Sequence, residues 1–175
     1  MEKIILTQEE IKKTITKLAK AILKKNEDLS ELAVVGIQTR GVFLAKRLLN
    51  ETVKIKKMKT EIPFGFLDIT LYRDDLGQNA DIPTIKDTNI PFDVNGKNII
   101  LVDDVLYTGR TIRSALDVLK DFGRPKSIQL VVLIDRGYRE LPIQADFTGL
   151  THYTKDEVCV NFVEIDDEDI VTVQK

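Results

Sequence analysis

Cysteine and histidine are nearly absent from this chain: Cys159 and His152 are the only ones in 175 residues. One cysteine excludes an internal disulfide framework and suits a reducing compartment. One histidine excludes a His-rich metal site. No apolar run approaches the roughly 20 residues of a membrane span. The opening Met1-Glu2-Lys3-Ile4-Ile5-Leu6 turns polar too soon for a secretory signal and lacks a small-residue cleavage pattern, so a cytoplasmic location without membrane contact is expected. Nine glycines and five prolines are too few for a fibrous or low-complexity chain. A dominant charge sign is missing too. Lys plus Arg number 26 and Asp plus Glu 28, for a net charge of -2. The molecule as a whole is no electrostatic magnet for nucleic acid or membrane, although a local basic face is compatible with that balance.

What is present is the balance of a globular domain, 43% hydrophobic and 31% charged. No repeat or linker composition divides the chain, so residues 1–175 are expected to form a single domain. Thr7 and Glu10 have capping-box spacing, and Ile11, Ile15, Leu18 and Ile22 then mark one helical face with Lys13, Lys17, Lys20 and Lys24 opposite. Residues 32–37 predict a buried strand and 41–50 a helix with Val42, Leu44, Ala45, Leu48 and Leu49 inward. Strand character around Phe66, Ile69 and Leu71 gives way to a polar loop over 73–89, and loops of that length are usually functional. Residues 97–102 predict a strand, 109–122 a helix stopped by Gly123, and 128–135 another strand. Short strands are expected at 158–163 and 170–173. Strands alternating with helices imply an α/β fold with a mainly parallel sheet flanked by helices.

Ligands of such sheets sit at the carboxyl ends of the strands. Three segments with polar chemistry end there: Gly36-Ile37-Gln38-Thr39-Arg40-Gly41, the run from Asp103 to Thr111, and Asp135-Arg136-Gly137-Tyr138-Arg139. The second is the most informative. A buried strand delivers two adjacent carboxylates, and a Thr-Gly-Arg-Thr turn then opens a helix. Backbone amides, hydroxyls and the positive helix end suit a phosphate dianion. The carboxylates cannot hold that phosphate, but they suit adjoining sugar hydroxyls or a hydrated divalent metal. A sugar phosphate satisfies both halves. The Gly-Lys-Ser/Thr ending of a Walker loop is absent.

The run Ile100-Leu101-Val102-Asp103-Asp104-Val105-Leu106-Tyr107-Thr108-Gly109-Arg110-Thr111 resembles the phosphoribosyl pyrophosphate (PRPP) motif of type I phosphoribosyltransferases. Asp68 to Asp75, Gly123-Arg124-Pro125 and Asp135 to Pro142 extend that resemblance over nearly the whole chain, most loosely after Gly149. The resemblance implies the type I fold, with a flexible flap at about 68–90 and a small hood built from the N- and C-terminal segments. It implies that Asp103 and Asp104 hold the ribose hydroxyls and, through PRPP and water, Mg2+. Tyr107, Thr108, Gly109, Arg110 and Thr111 would cradle the 5′-phosphate. Thr39, Arg40 and Gly41 match the pyrophosphate loop, with a cis peptide expected at the bond into Arg40. Tyr72 and Arg73 would lie on the flap, and Arg136 and the backbone at Val160 would face the base. Asp104, Arg40 and Arg73 form the expected catalytic set. No general base is evident.

The resemblance is closest to a branch that converts uracil and PRPP to UMP and pyrophosphate and regulates transcription by binding pyr leader mRNA. It implies RNA contacts at Thr16, Lys20, Lys25 and Arg139, and a homodimer or homotetramer. The chain departs from the branch pattern at Lys20 and Tyr138, where histidine is usual, at Gln144 for arginine and at Leu150 for lysine. Two of these changes remove positive charge that phosphate would use. By composition alone the lysine face is a solvated helix face. Arg136 and Arg139 can equally pair with Asp135 and Glu140. Cys159 suits a core position, and His152 and the acidic stretch 164–169 suit surface turns, as Asp74, Asp75 and Asp81 suit a solvated loop. Three functions stay open: a uracil transferase that binds RNA, an RNA regulator using the site as a nucleotide sensor, and a purine transferase without an RNA role.

Overall fold

The computed structural model describes residues 2–57, 61–69 and 88–175. Its frame is a five-stranded, all-parallel sheet built from β2 (Leu32–Ile37), β3 (Phe64–Leu67), β4 (Asn98–Leu106), β5 (Ser127–Asp135) and β6 (Phe147–Thr151), in the order β3-β2-β4-β5-β6. The α/β expectation is met. β2, β4 and β5 are apolar almost throughout because both faces of the sheet are covered. Alternate residues serve different cores. Val34, Ile100, Val102, Val131 and Leu133 face helices α1 (Gln8–Lys25) and α2 (Arg40–Lys56). Ala33, Val35, Ile99, Leu101, Leu130 and Val132 face α3 (Arg110–Asp121).

A second, antiparallel sheet joins β1 (Glu2–Leu6), β8 (Ile170–Gln174) and β7 (Glu157–Asn161) in the order β1-β8-β7. This is the hood, formed by both chain termini. Val158, Val160, Phe162, Val171 and Val173 enter the same core as α1 and α2, so the hood is seated on the parallel sheet by shared apolar burial. Between β7 and β8 lies a single helical turn, α4 (Val163–Asp166).

Helix α1 begins as expected. The Thr7 amide and hydroxyl both donate to the Glu10 carboxylate at 2.8 Å, and Ile11, Ile15, Leu18 and Ile22 are buried. Helix α2 runs six residues beyond the expected end at 50, and β4 runs on to Leu106, so Asp103 and Asp104 lie within the strand. Two strands escaped the sequence. β1 pairs only with the far C-terminus, Glu2 opposite Gln174, a partnership no local pattern encodes. β6 follows β5 in parallel without an intervening helix. Most of the expected flap, with Leu71, Tyr72, Arg73, Asp74, Asp75 and Asp81, lies outside the described residues. On either side of it, Phe66 and Asn89 exchange backbone hydrogen bonds of 2.8 and 2.9 Å.

Two buried amides fasten the end of α1 to the sheet. Asn26 Nδ2 donates to Gln129 Oε1 at 3.0 Å, and Gln129 Nε2 donates back to Asn26 Oδ1 at 2.8 Å. Truncating one partner strands the other in an apolar setting. Asn26→Ala is expected to lower stability by about 1–3 kcal/mol, read as a shift in the urea midpoint. An unchanged midpoint would show that the pair is not buried in solution.

Candidate active site

β2, β4 and β5 are neighbours in the sheet, so their carboxyl ends bring the three expected segments together. Leu106 is opposite Asp135, and the Arg136 amide donates to the Leu106 carbonyl at 2.9 Å. After β2 the chain turns at once into α2. A cis peptide bond joins Gln38 to Thr39, one bond before the expected position. Gly41 is required for a steric reason: a Cβ there would lie 2.5 Å from the Val102 carbonyl oxygen and 3.1 Å from the Asp103 Cα. The start of α2 therefore rests directly on β4 beside the carboxylates.

Asp103 is buried, with 6% of its surface exposed, and Asp104 is half-buried. The Asp104 amide donates to Asp103 Oδ1 at 3.0 Å. Burial raises the pKa of Asp103 well above the usual carboxylate range, and the neighbouring Asp104 charge raises it further. Burial also raises Asp104, opposed by hydrogen bonds and by the nearby Arg40 charge. Two adjacent acids that resist ionising together are matched to an arriving cation or to hydroxyl donors. Among the described residues no group of three or more His, Cys, Asp or Glu could hold a metal ion. A divalent ion here would take most of its ligands from substrate and water, as the oxygen-only chemistry of Mg2+ allows.

The turn after β4 brings Tyr107, Thr108, Gly109, Arg110 and Thr111 together at the start of α3. Gly109 has φ 93°, a conformation that favours glycine, and caps the helix. The segment after β5 backs this turn. The Glu140 and Leu141 amides donate to the Thr108 carbonyl at 2.9 and 3.1 Å, and Arg110 Nε meets Glu140 at 2.7 Å.

Arg40, Arg136 and Arg139 at this edge have different surroundings. Arg40 Nη2 donates to Asp166 Oδ1 at 2.7 Å, and its Nε is buried without a partner among the described residues. Arg136 stacks on Tyr107, 4.0 Å from guanidinium carbon to ring centroid. Its Nη2 donates to the Lys155 and Asp156 carbonyls, and its Nε is likewise buried and unpartnered among the described residues. Arg139 is turned inward. It donates to Ile143, Tyr107 and Gly137 carbonyls at 2.8–3.0 Å and to Asp135 at 2.7 Å. The anticipated Asp135 pairing thus belongs to Arg139, while Glu140 takes Arg110. Val160 points into the core from β7.

The acidic stretch 164–169 is more than a solvated turn. Glu164 and Asp169 both bind Arg47, and Asp166 binds Arg40. The only sequence signal was the seven-residue spacing of Arg40 and Arg47, which puts both on one helix face.

On α1, Lys13, Lys17, Lys20 and Lys24 are exposed as expected. The Thr16 hydroxyl donates to Glu51 at 2.8 Å, and Lys25 meets Asp146 at 2.6 Å. Asp146 lies beside Leu130, whereas Arg139 is tied to Asp135 at the other end of β5. At strand rise the two anchors are about 16 Å apart, so the four expected RNA residues span an extended face.

The family described as phosphoribosyl transferase domain matches residues 2–168. The chain belongs to that family. Relatives narrow its place there: proteins called Bifunctional protein PyrR are 54% identical in Endomicrobium trichonymphae, over all of both chains, and 47% identical in Listeria welshimeri, over 98% of this chain and 96% of the relative. These full-length matches put the chain in the PyrR branch. Among solved structures, a Trypanosoma cruzi hypoxanthine phosphoribosyltransferase superposes with a TM-score of 0.75 at 19% identity, covering 98% of this chain and 95% of that one. A Staphylococcus aureus hypoxanthine phosphoribosyltransferase gives 0.72 at 22% identity, covering 99% and 92%. Both share the fold.

The raised pKa of the Asp103–Asp104 pair has a defined sign. A carboxyl whose folded pKa exceeds its unfolded value favours folding below the unfolded pKa and loses that contribution as pH rises through the folded pKa. Asp103→Asn is therefore expected to raise the thermal midpoint at neutral pH and to flatten its rise on acidification. A midpoint lowered at neutral pH would mean that the pair is not under electrostatic strain.

Proposed function

We propose that this chain is a uracil phosphoribosyltransferase, converting uracil and PRPP to UMP and pyrophosphate, that also binds pyr leader mRNA in a UMP-dependent manner. One observation carries the catalytic half: two adjacent carboxylates end in a helix-opening turn, with Arg40 across β4 from Arg136. Asp103 and Asp104 would take the ribose hydroxyls, and residues 107–111 the 5′-phosphate. Thr39, Arg40 and Gly41 would meet the pyrophosphate. Mg2+ would be held beside Asp103 and Asp104 through PRPP oxygens and water, and supplies positive charge to the leaving group.

Pyrophosphate departs from C1 of the ribose as uracil N1 approaches, through an oxocarbenium-like state that needs no protein nucleophile. Asp104 supplies negative charge near that sugar, and Arg40 neutralises the departing pyrophosphate. Arg136, held flat on Tyr107, has a buried Nε that a uracil carbonyl oxygen would satisfy. The backbone at Val160 would border the base. Tyr72 and Arg73 would close over the substrate and exclude competing water.

The regulatory half rests on the PyrR relatives and on the exposed lysines of α1. Thr16, Lys20 and Lys25, with Arg139 at the far end of β5, would line the RNA face. UMP can regulate only by binding the RNA-competent state more tightly.

Two assays on one preparation test both halves. Pyrophosphate release with uracil, but not with hypoxanthine or guanine, is expected; turnover of the purines instead would make the purine reading correct. Leader RNA is expected to bind more tightly with UMP, with Lys20→Ala reducing the salt slope by about one. RNA binding indifferent to UMP would remove the regulatory half.

A further inference from the structure

We infer that Asp166 is a positioning residue that fixes the aim of Arg40 at the leaving pyrophosphate. The inference rests on the proposed pyrophosphate role of Arg40. Its starting point is the one-armed hold on that guanidinium: Nη2 donates to Asp166 Oδ1 at 2.7 Å, while Nε is buried and without a partner among the described residues. A buried N–H without an acceptor is costly, and an arriving phosphate oxygen supplies one.

The carboxylate doing the holding is itself fixed. Asp166 Oδ2 accepts from the Phe162 amide at 3.0 Å, and Asp166 is only 19% exposed where Arg40 is 38% exposed. The turn that carries Asp166 is clamped independently of Arg40. Arg47 donates to Glu164 at 2.9 Å and to Asp169 at 2.6 and 2.9 Å, and its guanidinium lies 4.6 Å from the centroid of the buried Phe162 ring. The Val163 amide closes the turn on Asp169 at 2.9 Å. Asp166 is thus a strut mounted on the hood, not a floating surface acid.

Arg40 has a second electrostatic attraction, towards Asp104. Released from Asp166, the side chain would be drawn over the carboxylates and into the space of the ribose. Asp166 opposes that collapse and leaves Nε without a competing protein partner among the described residues. Orientation of this kind acts on ligands that carry pyrophosphate and not on a nucleoside monophosphate.

The test is calorimetric titration of inorganic pyrophosphate and of UMP, with and without Mg2+, together with KM for PRPP. The proteins are wild type, Asp166→Ala, Asp166→Asn, Glu164→Gln and Arg40→Ala. For Asp166→Ala, pyrophosphate affinity is expected to fall and KM for PRPP to rise, each about tenfold, with UMP affinity unchanged. Asp166→Asn, which keeps an acceptor oxygen, should fall between. Glu164→Gln loosens the Arg47 clamp on the turn that carries Asp166 and is expected to lower thermal stability and to raise KM for PRPP by less than Asp166→Ala does. Unchanged pyrophosphate binding in Asp166→Ala, where Arg40→Ala loses it, overturns the inference alone. So does an equal loss of UMP affinity, which marks a general collapse of the hood. A loss seen only with Mg2+ also overturns it, by placing the carboxylate on the metal. Unchanged pyrophosphate binding in Arg40→Ala removes the underlying role of Arg40, and the inference with it.

Discussion

Two like charges side by side at the end of a buried strand are the constraint around which this molecule is arranged. Asp103 is within the ladder of β4, paired in register with Val132, and is almost fully buried. Such a pair is unfavourable for folding at neutral pH, and it persists only because the rest of the structure over-determines it. β4 is central, with β2 and β5 hydrogen-bonded on either side and apolar layers above and below. The same placement gives the pair its chemical use. In the proposed function, a site that resists holding two negative charges would bind sugar hydroxyls and a hydrated cation with a gain that a solvated pair could not provide.

The hood extends the compensation. Its apolar residues complete the core over α1 and α2, and its acidic turn meets the two arginines of α2. The two arginines of α2, whose first residue is Arg40, are thereby tied to one turn of the hood. Hydrogen bonds from Arg47 lower the pKa of Glu164, and at Asp169 burial pushes the pKa up but the bonds from Arg47 and the Val163 amide outweigh it and lower it. That contact is partly buried and doubly bonded, which makes it stronger than an exposed ion pair on a flexible side chain. Apolar burial seats the hood, and the arginine contacts tie its acidic turn to α2.

Much of this was legible before the fold was known, for identifiable reasons. β2, β4, β5 and the helices among them are local units whose apolar period announces them, and the run from Ile100 to Thr111 combines a strand end, a turn and a helix start in one short motif. β1 was not legible because Ile4-Ile5-Leu6 is too short to carry a period, and its partner is at the other end of the chain. β6 was hidden because the link from β5 carries no helix to flag a parallel crossover. The roles of Glu164, Asp166 and Asp169 were hidden because charge partners 117 to 126 residues apart leave no spacing rule. The cis bond joins Gln38 to Thr39 and not Thr39 to Arg40, a distinction the sequence does not carry because backbone geometry of that kind has no side-chain signature.

Arg139 shows where a motif and a structure carry different information. Its position in the sequence resembles that of an RNA contact, but its guanidinium is committed to three carbonyls and to Asp135. Those bonds tie the segment after β5 to Tyr107, and Tyr107 is the ring on which Arg136 stacks. A phosphate on RNA would have to compete with bonds already formed in a partly buried setting, whereas Lys20 stands exposed and ready. Through its internal bonds Arg139 holds the 137–144 segment, including the exposed Tyr138, in one shape. Its replacement would disturb the turn at Tyr107 and the seat of Arg136 together with any RNA face. A loss of RNA binding on mutating Arg139 therefore cannot by itself assign a contact, and Lys20 is the cleaner probe of that surface.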